Sequence, residues 1–316
     1  MKKVIVIGEI LVEIMADSVG AGFQEPIAMT GPFPSGAPAI FIDQVARMGQ
    51  PCAILSTVGN DDFGTLNLSR LKADGVDISG VRVDQQLPTG TAFVRYRQGG
   101  TRDFIYNIRH SACGLPPNHE LAEGAVSAAD HIHVMGSSLA SPDLIALNLR
   151  AVQDVRGRGG TVSLDPNLRK EILETPGLRA AMTQILAMTD LFLPSGQELM
   201  LLTDANEHKG AIEELLKRGI KAVVHKLGDG GARYHDTAES LFLPAFNVDE
   251  VDPTGAGDCF GGAFTALWLR GTDTLEALSL AAAAGALAVT KRGPMEGAAT
   301  IDELRAFVVQ QSGGKL

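Results

Sequence analysis

The 316-residue chain is 45% hydrophobic and 20% charged, the make-up of a globular protein with a sizeable core, which excludes a mainly disordered chain. Its formal charge of −10, with no basic run, makes it a poor partner for nucleic acid or an anionic membrane. Its three cysteines, Cys52, Cys113 and Cys259, are odd in number and fit no zinc spacing or disulfide framework, which points to a reducing cytoplasm.

The first apolar run, Lys3–Ile7, is short, β-branched and closed by Gly8-Glu9, so it reads as a buried strand and is too short for a signal peptide. Ala39–Met48 carries apolar residues at helical spacing (Phe41, Val45, Met48) and stops at Gly49. Ala53–Val58 reads as a strand and Phe63–Ala73 as a helix ending before Gly75. Further strands are expected at His131–Met135, Thr161–Leu164, Leu191–Leu193 and Ala222–Lys226. Helices are expected between them, at Leu144–Val155 and around Ala211–Lys217. No run reaches the ~20 apolar residues of a membrane helix; the alanine-rich stretch that continues to Val289 stops at Lys291-Arg292.

Strands alternating with helices predict the α/β class, a mostly parallel sheet covered on both faces, with ligands beyond the carboxyl ends of its strands. The segment from Pro88 to Arg109 breaks this pattern. Thr91–Arg97 and Arg102–Ile108 flank a Gln98-Gly99-Gly100-Thr101 turn, which predicts a hairpin with no helix, placed as a flap over the site.

The strongest chemical signal is Asp252-Pro253-Thr254-Gly255-Ala256-Gly257-Asp258. A helical pattern follows, with Phe260, Phe264, Leu267 and Trp268 on one face, so the glycines sit at a helix N-terminus. Free N–H groups and the helix dipole favour an anion there, and glycine lets a phosphate approach the backbone. A carboxylate in the first turn, Asp258, is then placed to accept the proton of an attacking hydroxyl as a P–O bond forms. A plain loop with a helix cap is the alternative, but two aspartates bracketing Thr-Gly-Ala-Gly are uncommon in such loops.

With these residues the chain resembles the PfkB-type, ribokinase-like carbohydrate kinases. Asp252–Asp258 is similar to the second signature of that family. Gly8-Glu9-Ile10-Leu11-Val12-Glu13, Ser35-Gly36-Ala37-Pro38-Ala39, Val58–Gly64, Asp165-Pro166-Asn167-Leu168-Arg169, Pro194–Glu198 and Lys226–Gly231 resemble further blocks in the same order. The resemblance implies a single ribokinase-like kinase domain over residues 1–316. It would carry a small β lid formed mainly by about 88–109, with part of 12–34, through which a homodimer would be joined. It implies ATP and Mg2+, with K+ as a further cation, and a sugar of the fructose, tagatose or 2-keto-3-deoxygluconate class.

On the same resemblance, Gly255, Ala256 and Gly257 form the anion hole and Asp258 is the base. Lys226, Gly228, Gly230 and Gly231 flank the nucleotide. Glu13, Gly36 and Ala37 face the substrate, and Asn167 faces the phosphates or substrate. Arg169 faces the phosphates or substrate, or is a solvated arginine after a strand. Glu198 organises Mg2+ through water, a ligand that ion keeps. Asp252 supports a monovalent cation with carbonyls of residues 288–293, or is a capping aspartate.

Three positions depart from the family pattern: Ile40 where an asparagine is usual, Glu13 for aspartate and Ser195 for asparagine. Arg97, Arg102, Tyr106 and Arg109 could bind a carboxylate or hydroxyls, or form a solvated face. His131 and His133 lack a third ligand for a metal. A nucleoside kinase, or a sugar or nucleotide sensor on the same fold, are the competing functions.

Overall fold

The computed structural model describes residues 1–99, 101–168 and 173–311. The predicted strands and helices fall where the periodicities place them. The strands are β1 (Val4–Ile7), β2 (Leu11–Ala16), β3 (Met29–Ser35), β4 (Cys52–Gly59), β5 (Val81–Asp84), β6 (Gly90–Tyr96) and β7 (Arg102–Asn107). They continue with β8 (His131–Met135), β9 (Thr161–Asp165), β10 (Leu191–Phe192), β11 (Ala222–Lys226), β12 (Ala232–His235) and β13 (Ser240–Leu243). The helices are α1 (Ala37–Arg47), α2 (Asp62–Ala73), α3 (His119–Ser127), α4 (Pro142–Gly157) and α5 (Leu178–Leu186). They end with α6 (His208–Lys217), α7 (Ala256–Arg270), α8 (Thr274–Val289) and α9 (Ile301–Gln311).

The large sheet runs β13-β12-β11-β10-β9-β8-β1-β4-β5. It is parallel from β5 to β11 and antiparallel only at β12 and β13. Its central strands are buried on both faces, as continuous β-branched runs such as Val4–Ile7 require. One face packs on α1, α7, α8 and α9 through Phe41, Phe264, Leu278 and Leu304. The other packs on α3 to α6 through Val126, Val152, Ile185 and Leu215. His131 and His133 belong to this framework. Both rings bond Ser163, His131 also bonds Thr161, and the His133 ring stacks on Phe41 at 3.7 Å.

A separate four-stranded sheet, β3-β2-β6-β7, stands beside it. The hairpin of this sheet is β6 and β7, paired antiparallel with Tyr96 opposite Arg102. β3 contains Pro32 and Pro34, which argue against a strand because proline cannot donate to a ladder. It is accommodated because β3 is an edge strand with one partner, β2. Gly100, in the predicted turn, lies outside the described residues.

Candidate active site

The carboxyl ends of β9 and β11 meet the N-terminus of α7. That helix begins at Gly255, which adopts the left-handed region (φ 83°). A Cβ there would lie 2.4 Å from the Pro294 carbonyl oxygen, so only glycine fits. Ala256, Gly257 and Asp258 form the first turn, whose N–H groups have no acceptor within a helix. Asp258 is buried, and its Oδ1 accepts a 3.2 Å bond from Asn167 Nδ2. Asn167 leaves β9 with φ 33°, a conformation asparagine adopts more readily than most residues. Its own N–H donates to Asp165 Oδ1 at 3.2 Å.

Lys226, the last residue of β11, is buried and donates to Asp165 Oδ2. Burial pulls its pKa down, but Asp165, helped by Glu198 and Asp258, outweighs that and holds the lysine above its ordinary value. It is therefore a permanent cation. A Cβ on Gly257 would stand 3.6 Å from its Nζ, so the ammonium lies against the head of α7. A helix N-terminus and a buried cation at one point favour an anion, which makes this a candidate anion site.

Glu198 is held by two backbone donors, Leu168 N at 3.1 Å and Ser195 N at 2.9 Å, and closes a capping box with Ser195. Burial, then the neighbouring Asp165, push its pKa above the usual glutamate value. Asp252 is also buried. Its Oδ1 accepts from the Tyr96 hydroxyl and from Thr254 N (3.0 Å), and its Oδ2 from Gly293 N (3.0 Å). Among the described residues no three His, Cys, Asp or Glu side chains converge as a metal cage.

Two clefts meet at this turn. The first has Glu9, Glu13, Gly36, Ala37 and Asp258 in its wall and is roofed by Arg102, Phe104 and Tyr106 of the small sheet. Glu13 is buried, with Oε2 accepting from Ser35 Oγ at 3.1 Å. Ile40 lines this cleft as well. The second, an open groove, runs from Lys226, Gly228 and Gly231 past Gly257 to Ala282 and Gly285 of α8. Gly257 faces one cleft and Asp258 the other.

Of the residues singled out in the sequence, Asp258, Glu13, Gly36 and Ala37 gather on the first cleft, and Lys226, Gly228, Gly231 and Gly257 on the second. Gly230 shares the turn of Gly228 without lining the groove. Arg109 is exposed, donates to Thr175 Oγ1 at 3.4 Å and is not among the cleft residues; Arg102 is the arginine that reaches the cleft. Arg169 lies outside the described residues. Glu9 and the α8 residues were not picked out as ligand contacts. Glu9 had a signal, since it directly follows the glycine that ends β1. The alanine–glycine run of α8 reads equally well as tight helix packing.

A ribokinase-like sheet and an anion site set between two clefts define the class: a small-molecule kinase. The chain belongs to the pfkB family of carbohydrate kinases, whose model matches residues 1–301. It is 32% identical over 307 residues to the 2-dehydro-3-deoxygluconokinase of Thermoproteus tenax, covering 94% of this chain and 91% of that one. It is similar to a candidate ribokinase II from E. coli solved with ATP and Mg2+: 48% identity, TM-score 0.91, covering 98% of this chain and 100% of that one. A double mutant of fructokinase from Vibrio cholerae O395, solved with fructose, ADP and a potassium ion, is 27% identical with TM-score 0.83 and 98% coverage of both chains.

Proposed function

We propose that this sugar kinase transfers the γ-phosphoryl group of ATP to a primary hydroxyl of a ketohexose, with Asp258 as the base. The observation that carries this reading is the position of Asp258 between a cleft bearing hydroxyl acceptors and a groove with a fixed cation. The E. coli relative with bound ATP and Mg2+ supports the nucleotide side. Lys226 and the N–H groups of 256–258 would meet the phosphates. The small residues Ala282 and Gly285 leave room for the base in the groove. Asp258 accepts the hydroxyl proton late in the transfer, and Asn167 orients its carboxylate.

Mg2+ supplies charge neutralisation on the phosphates when bound. Glu198 fits a role through water, because its two oxygens are already held by backbone N–H groups. Asp252 spends its carboxylate on three donors, so its part in binding a monovalent ion would be to support the loop whose carbonyls would hold that ion. The small sheet acts as a lid. On its outer face Ile14, Phe93 and Ile105 stand in cross-strand register with Ile105 exposed, which supports a homodimer joined there.

Two buried glutamates, Glu9 and Glu13, line the first cleft beside the buried Asp258, and Arg102, the one arginine among its described lining residues, already donates to Thr254. That balance favours a neutral polyol over a keto-sugar acid. An ATP-consumption screen over fructose, tagatose, 2-keto-3-deoxygluconate, aldohexoses and nucleosides tests it. Ketohexoses should give the highest kcat/KM; a higher value for the sugar acid would overturn the neutral-substrate reading.

A further inference from the structure

Tyr96 ends β6, Arg102 begins β7, and the two are cross-strand partners at the tip of the hairpin. Both reach Thr254, in the loop that leads into α7. Arg102 Nη1 donates to Thr254 Oγ1 at 3.0 Å. That oxygen lies 3.2 Å from the Tyr96 hydroxyl, which in turn donates to Asp252 Oδ1. Counting protons fixes the direction of the chain. A guanidinium only donates and an ionised carboxylate only accepts. The single Tyr96 proton goes to Asp252, so the single Thr254 proton goes to the tyrosine oxygen, and Thr254 accepts from Arg102. One directed path therefore runs from Arg102 through Thr254 and Tyr96 to Asp252.

Asp252 is fixed from its other sides by Thr254 N and Gly293 N, and the chain passes from Thr254 straight into Gly255, Ala256 and Gly257. We infer that Tyr96 and Arg102 are positioning residues that tie the hairpin over the sugar cleft to the loop at the head of α7. With the hairpin lifted, the buried Asp252 carboxylate keeps, among the described residues, its two backbone donors, and the half-buried Thr254 hydroxyl loses Arg102 and Tyr96. Buried polar groups left short of partners are costly, so the loop holds its geometry only while the hairpin is down. The phosphate side of the site is then set by the state of the sugar side, which keeps transfer to water slow when the lid is open.

This inference rests on the reading of residues 255–257 as the phosphate-binding turn, which Gly257→Ala tests separately. Tyr96→Phe and Thr254→Val, alone and combined, are compared in steady-state kinetics with the best acceptor of the screen. Amide exchange is followed in the sugar-free protein. Each single change should lower kcat roughly 10-fold while leaving the KM for ATP within about 2-fold. The double variant should lose about 10-fold rather than about 100-fold, because both changes cut one path. In Tyr96→Phe the amides of Thr254 and Gly293, which donate to Asp252, should exchange faster than in the wild type. An unchanged kcat in Tyr96→Phe, multiplicative losses in the double variant, or unchanged exchange at these two amides would overturn the inference. If Gly257→Ala kept full activity, the phosphate-turn reading would fail instead, whatever the exchange result.

Discussion

Gly257→Ala separates the demands of the fold from those of the ligand. Gly257 has ordinary helical backbone, and the nearest atom to an added Cβ, apart from its own helix and chain neighbours, is Lys226 Nζ at 3.6 Å, an ordinary contact. The protein itself therefore accepts the methyl group. Alanine is a better helix former than glycine by at most about 1 kcal/mol, so the Tm should stay level or rise by no more than about 3 °C. The methyl nevertheless fills the space in front of the free N–H groups of the first turn and beside the ammonium. A phosphate there would have to retreat from one charge-assisted hydrogen bond, a loss of roughly 1.5–3 kcal/mol. The expected outcome is a fall in kcat of about 10- to 100-fold, since 1.4 kcal/mol is a factor of ten. ADP release in a coupled assay reads the activity, and a thermal melt reads the fold. Gly255→Ala is the contrasting control. Its φ of 83° and the 2.4 Å approach to Pro294 O predict a lowered Tm as well as lost activity. A folded Gly257→Ala enzyme with wild-type kcat would refute the reasoning, because no anion could then be approaching this turn closely.

Asp258→Asn should retain binding of ATP and sugar while kcat drops by about 10²–10⁴-fold, the range for loss of a positioned base; retention of more than roughly a tenth of kcat would remove Asp258 from that role. Glu198→Gln should change the pH dependence of stability. The raised pKa of Glu198 in the folded state favours its protonated form. Its stabilising effect is complete below the ordinary glutamate value of 4.5 and is lost as pH rises through the folded-state value. Wild-type Tm should therefore fall relative to Glu198→Gln as pH rises from 4.5, and parallel Tm curves would show that Glu198 titrates normally.

The large sheet was legible because its strands are buried on both faces. Runs such as Val4–Ile7 and Ala222–Lys226 can be little else when each is closed by a turn or helix signal. The turn before α7 was legible at Gly255, because glycine there answers a steric demand of the fold, a left-handed φ and the close Pro294 carbonyl. It was less legible where side chains converge from distant strands. Nothing in the sequence near Arg109 shows that the exposed arginine turns to Thr175 while Arg102 reaches Thr254, since both lie on one alternating hairpin. β3 was masked by its prolines, whose cost disappears at a sheet edge. The alanine run of α8 gives a weak periodic signal because every face of it is small enough to pack.

The prolines of β3 also decide how the small sheet behaves toward other chains. A sheet edge with free N–H and C=O groups is a template for strand addition, and proteins guard against it. β3 carries Pro32 and Pro34, and proline is one of the residues that blunt an edge strand against strand addition. The opposite edge, β7, carries Arg102 and Asp103 near the hairpin tip, where charge discourages an apolar strand. The small sheet can thus present an apolar outer face, with Ile14, Phe93 and Ile105, while both of its edges resist the edge-to-edge growth that leads to aggregates.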